Sequence, residues 1–84
     1  MKITLKLFAS LTDYLPQEAR YTNVIEIDIA SDTTIGQLVA QYRLPEKQVH
    51  LVLVNGSYIA PELRQSRTLA EGDALAIWPP IAGG

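Results

Sequence analysis

Only one stretch of this chain carries apolar residues at helical spacing, and that narrows the folds open to it. Ile35, Leu38, Val39 and Tyr42 fall at i, i+3, i+4 and i+7, which is one apolar stripe of an α-helix. Ser31-Asp32-Thr33-Thr34 offers N-cap residues just before it, and Pro45 closes it. The other clear patterns have period two. In Lys2 to Phe8, Ile3, Leu5 and Leu7 take one face, and Lys2, Thr4, Lys6 and Phe8 take the other. In Val24 to Ile29, Ile25, Ile27 and Ile29 point one way, Glu26 and Asp28 the other. Both read as half-buried strands. A lone amphipathic helix must lay its stripe on a sheet, so the expected class is α+β.

The remaining segments extend the sheet. Residues 9 to 15 suit a short helical turn limited by Pro16. Val49 to Val54 is nearly all apolar and reads as a strand covered on both faces. Asn55-Gly56 is a tight-turn signal, because both residues tolerate positive φ, and Ser57 to Ala60 returns as a short strand. Pro61 to Ser66 reads as irregular surface, Glu71-Gly72-Asp73 as a turn, and Ala74 to Trp78 as the last strand. The expected order is β-β-α-β-β-β. It forms one domain, residues 1–80, followed by a tail, 81–84, with no internal repeat or linker.

Composition excludes several functions. The chain has 84 residues, 48% of them hydrophobic. A chain of that size buries roughly 60% of its unfolded surface, enough for one modest core. The net charge of -2 comes from seven basic and nine acidic residues mixed along the sequence, which gives no electrostatic case for nucleic acid or an anionic membrane. With no cysteine, no disulfide staples the fold, and sulfur chemistry would have to use the chain terminus. The N-terminus alternates from Met1 onward rather than forming an apolar run, so a soluble, cytoplasmic protein is expected. The single histidine, His50, has no cysteine or carboxylate cluster around it, so it reads as a structural or surface residue and no metal site is expected. Glu26 and Asp28 read as a solvated strand face. No phosphate loop, nucleophile elbow or zinc motif is present.

The chemistry concentrates at the end, Pro79-Pro80-Ile81-Ala82-Gly83-Gly84. Two glycines make the thinnest tail a polypeptide can have, able to enter a narrow channel. The prolines stop the strand and stiffen its exit. Residues 81 to 84 fully extended would reach roughly 13 Å. The carboxylate of Gly84 is therefore the candidate reactive group. Parity adds a docking surface: Phe8 and Trp78 both fall opposite the core positions of their strands, and Tyr58 follows the hairpin turn. Large aromatics on the outer face of a sheet read as a partner patch, which Val52 and Val54 would widen. Arg64 and Arg67 sit in the expected surface segment, where they could meet a partner.

Three stretches carry a resemblance: Leu7-Phe8-Ala9-Ser10-Leu11, Val52-Leu53-Val54-Asn55-Gly56, and Leu69 through Gly84 with its Gly72-Asp73 turn, double proline and Gly-Gly end. Together they resemble the ubiquitin-like β-grasp sulfur carriers, above all the small subunit of molybdopterin synthase. Three positions depart from that family: Thr12-Asp13 replaces a frequent arginine-glutamate pair, and Trp78 replaces a phenylalanine.

The resemblance implies a mixed sheet of four to five strands with one main helix on one face and a flexible Gly-Gly tail. It also implies a route for the chemistry. An E1-like activating enzyme uses ATP to adenylate Gly84. A persulfide from a sulfurtransferase then displaces AMP and leaves a thiocarboxylate, ionised and nucleophilic for the reason thiolates are. The tail, Pro79 to Gly84, enters the pocket of the large subunit in a heterotetramer and donates sulfur to a cyclic pyranopterin precursor of the molybdenum cofactor. Catalytic side chains are expected in the partner, and no cofactor is bound by the chain itself. Two alternatives share the chemistry: a carrier for thiamine thiazole or another sulfur metabolite, and a ubiquitin-like protein modifier.

Overall fold

A computed structural model of the chain describes residues 1–80. Five strands, β1 (Lys2–Leu7), β2 (Val24–Asp28), β3 (Leu51–Val54), β4 (Ser57–Tyr58) and β5 (Ala74–Trp78), form one sheet with one α-helix, α1 (Ile35–Gln41). The sheet order is β2-β1-β5-β3-β4. β1 and β5 run parallel at its centre and the other pairs are antiparallel. The C-terminal strand thus lies between the first strand and the hairpin.

The alternation read from the sequence sorts the two faces. Ile3, Leu5 and Leu7 on β1, and Leu75 and Ile77 on β5, are buried against Ile35 and Leu38 of the helix. Thr34 caps that helix. Its Oγ1 accepts from the Gln37 N–H at 3.1 Å, and Gln37 Oε1 accepts from the Thr34 N–H at 2.9 Å, a reciprocal pair that satisfies two N-terminal donors. Leu11 from the 3-10 turn Ala9–Tyr14, and Leu15 just after it, add to the core.

The two tight turns are joined. Asn55 (φ 51) and Gly56 (φ 84) make the β3-β4 hairpin, and Gly72 (φ 83) makes the turn into β5. Asn55 Nδ2 donates to Asp73 Oδ1 at 2.8 Å, and Asn55 Oδ1 accepts from the Ala74 N–H at 2.9 Å. Asp73 Oδ2 accepts from the Ala70 N–H at 2.8 Å. One amide and one carboxylate therefore lock the turn before β5 to the hairpin beside it.

Several boundaries differ from expectation. Residues 46–48 form a 3-10 turn, so β3 starts at Leu51 rather than Val49. β4 ends at Tyr58 because Ile59 turns into the core, its N–H donating to the Val52 carbonyl at 2.9 Å. The segment read as irregular surface contains the 3-10 turn Pro61–Leu63 and a buried arginine. No helix among the described residues is long and apolar enough to cross a membrane.

Candidate functional site

The outer face of the sheet, away from α1, is built row by row from the strand registers. Leu51 pairs with Trp78 at the end of β5. Leu7 pairs with Ile77, so Phe8 follows beside Trp78, and the Phe8 N–H donates to the Ile77 carbonyl at 3.2 Å. The two rings stack with centroids 4.1 Å apart and planes 2° from parallel. Ala9, at φ 54, turns the chain sharply after Phe8. The next row runs Val24, Lys6, Ala76, Leu53 and Tyr58 across all five strands. Ala76 is small, so the face dips between Lys6 and Leu53. Tyr58, 58% exposed, forms the far wall about two strand spacings, or roughly 10 Å, from β5.

Of the patch residues read from the sequence, Phe8 and Trp78 are in contact, whereas Tyr58 stands apart across Leu53 and Ala76. Val52 and Val54 do not widen the patch. They are 0% and 2% exposed, and pair with the core residues Ile77 and Leu75. Leu51 and Leu53 are the residues of β3 on the outer face, a contribution the sequence reading missed. Every residue of Leu51–Val54 is apolar, so that strand carries no alternation to assign its faces. Its pairing with β5 is what decides.

Arg64 corrects a second reading. It is 8% exposed, and its guanidinium donates to the carbonyls of Ile59 (3.2 Å), Val49 (3.2 Å) and His50 (3.0 Å). It ties the segment after β4 to the lead-in of β3 and is buried rather than spread on the surface. Arg67 stays exposed, and its Nε donates to the Thr68 carbonyl at 3.2 Å. His50 is exposed, and its backbone N–H donates to the Trp78 carbonyl at 3.0 Å, which fixes the direction in which the chain leaves β5. Glu26 and Asp28 are exposed on β2. Burial raises the hydroxyl pKa of Tyr42, a half-buried residue at the helix C-terminus, above the usual tyrosine value. Among the described residues, no group of three or more His, Cys, Asp and Glu side chains could hold a metal ion.

Pro79 is half-buried and Pro80 exposed, directly after the stacked pair. Ile81, Ala82, Gly83 and Gly84, including the proposed reactive carboxylate, lie outside the described residues.

A cavity of about 370 Å³ opens beside this exit, lined by Val39, Val49, His50, Leu51, Tyr58 and Arg64 among others. A wider surface hollow of about 670 Å³ lies between the Ala9–Tyr14 turn and residues 45–48.

A mixed five-stranded sheet over one helix, with β1 and β5 parallel at its centre and an aromatic face beside the chain's exit, is the ubiquitin-like β-grasp architecture of the sulfur carriers. The chain belongs to the ThiS family, which matches residues 5–84. Comparison with curated proteins gives no match. Among solved structures, the chain is similar to SAMP1 from Haloferax volcanii, with 28% identity, a TM-score of 0.66 and both chains covered in full. It is similar to the HVO 2177 protein of the same organism, with 24% identity and a TM-score of 0.74 over all of this chain and 87% of that one. It is also similar to a chain in the complex of subunits 1 and 2 of molybdopterin-converting factor from Helicobacter pylori. There the identity is 20%, the TM-score 0.60, and both chains are covered in full. The last two likenesses concern the fold alone.

Proposed function

We propose that this chain is the sulfur-carrying small subunit of a molybdopterin synthase, with Gly84 as the atom-transfer site. Adenylation by an E1-like enzyme at the expense of ATP converts the terminal carboxylate into an acyl adenylate. The outer sulfur of a persulfide displaces AMP to form an acyl disulfide. A thiol of the sulfur-donating system then cleaves its S–S bond and leaves as a disulfide, and the thiocarboxylate so released donates its sulfur to a pyranopterin precursor inside the large subunit. The observation that carries this reading is the position of the Phe8-Trp78 stack. β5 ends in the outer aromatic patch at Trp78, and Pro79-Pro80 and the Gly-Gly terminus follow it in the sequence. A partner seated on that patch stands where the tail begins. The Helicobacter pylori relative, solved as a complex of its subunits 1 and 2, supports a larger partner of this kind. Removing Gly84 should abolish sulfur transfer while leaving the fold and the complex intact. A truncated chain that still supports molybdopterin synthesis contradicts the proposal.

A second reading is favoured by the likeness to SAMP1, the relative with 28% identity. The same adenylate can pass to a lysine amine, which makes the chain a protein modifier. Gly84 joined by an isopeptide bond to lysines of other proteins in host lysate would establish that use.

A further inference from the structure

Among the described residues the sheet has two edges, which differ in length. β4 is two residues long and runs directly into a 3-10 turn, a short edge of the kind that resists further pairing. β2 is five residues long, without proline. Its free backbone groups follow from its pairing with β1. Ile29 and Met1 exchange hydrogen bonds at 2.7 Å, and the Leu7 N–H donates to the Asn23 carbonyl at 3.0 Å. Hydrogen-bonded pairs alternate along an antiparallel ladder, so Ile25 and Ile27 bond to β1. The N–H and C=O groups of Val24, Glu26 and Asp28 then face outward.

The side chains of this edge specify what could cover it. Glu26 and Asp28 share the outer face, and Ile25 and Ile27 on the core face are only half-buried. Tyr21, 85% exposed, and Val24, 38% exposed, stand at the N-terminal end of the strand. A second copy is a poor fit. Antiparallel self-pairing over the full strand sets Glu26 against Glu26, and like charges directly opposite are unfavourable. β1 displays the chemistry that does fit. It alternates lysines with isoleucine and leucine, sets Lys2 across from Asp28, and flanks Glu26 diagonally with Lys2 and Lys6.

We infer that the outer edge of β2 is a second docking site, which takes an extended segment of a partner protein with basic residues alternating with apolar ones. The added strand would bond to Val24, Glu26 and Asp28, place its cations beside the two carboxylates, and cover Ile25 and Ile27 from the side. The inference does not depend on the chemistry assigned to Gly84.

The test uses the full chain and a capped peptide with the sequence of residues 2–7, Lys-Ile-Thr-Leu-Lys-Leu. In an NMR titration, the expected result is saturable shifts centred on β2, with slowed exchange of the Val24, Glu26 and Asp28 amides. A peptide with both lysines replaced by glutamate should bind about tenfold more weakly, from two cross-strand charge pairs changing sign. Glu26→Pro removes an outward N–H and no bond to β1, so it should abolish binding. If that variant fails to fold, the double variant E26K/D28K keeps the edge and should reverse the preference between the two peptides. The inference is overturned by absent binding, by shifts centred on Phe8 and Trp78, by equal affinity for both peptides, by an unchanged preference in the double variant, or by concentration-dependent broadening of β2 without peptide, which would mark a second copy as the occupant.

Discussion

Arg64 gives the sharpest test of how this small core is held. Its three hydrogen bonds, at 3.0 to 3.2 Å, reach carbonyls 5, 14 and 15 residues away. Replacement by methionine keeps much of the apolar stem and removes all three. Charge-assisted bonds contribute about 1.5 to 3 kcal/mol each in favourable geometry. These are long, and the Val49 and His50 carbonyls lie near solvent, where water can replace the guanidinium. Ile59 is buried, so its carbonyl regains least. The expected cost of Arg64→Met is about 3 kcal/mol. A domain of this size has roughly 4 to 13 kcal/mol in all, so the midpoint of thermal unfolding should fall by roughly 12 °C or more. Arg64→Lys keeps the charge without the planar fork and should fall between. Urea unfolding followed by circular dichroism measures both. A loss below about 1 kcal/mol for Arg64→Met, or weakened partner binding at unchanged stability, would refute the structural role and return Arg64 to the docking surface.

Trp78→Ala should weaken binding to the proposed large-subunit partner by about thirtyfold, the scale of an interface anchor, as measured by calorimetry. Its effect on stability should be smaller, about 1 kcal/mol from the lost stack. Asn55→Gly keeps the positive φ of the hairpin but cuts the tie to Asp73. It should cost about 1 kcal/mol, and amide exchange should quicken at Ala74. Tyr42 gives a pH dependence. Its folded pKa is raised by burial, so the folded state holds the proton more tightly than the unfolded chain. That contribution is complete below the unfolded value of 10.0 and is lost as pH rises through the folded value. Urea midpoints should fall less steeply above about pH 10 in Tyr42→Phe than in the unsubstituted chain.

The sheet was legible wherever polar and apolar residues alternate. The parity of Lys2 to Phe8 assigns both faces of β1, and the parity of Ala74 to Trp78 sends Trp78 outward with Phe8. That the two rings touch depends on the parallel pairing of β1 and β5, a contact between residues 70 apart that no local pattern encodes. Asn55-Gly56 announced its hairpin through the backbone angles those residues tolerate. Val52 and Val54 were misplaced because Leu51–Val54 presents apolar side chains on both faces. Arg64 was misread because its neighbours, Pro61, Glu62, Gln65 and Ser66, look solvated, while its burial comes from carbonyls on distant segments. The patch around Leu51, Leu53 and Ala76 emerged only once the registers were known.

The central claim is that Gly84 carries sulfur. Intact mass measurement of the protein purified from its own host, and again after incubation with its activating enzyme, ATP, a persulfide donor and a thiol, tests it directly. The account predicts a mass gain equal to one oxygen exchanged for sulfur, located at Gly84 by fragmentation. A terminal carboxylate that stays unmodified in both preparations, or a gain located at any other residue, would contradict it.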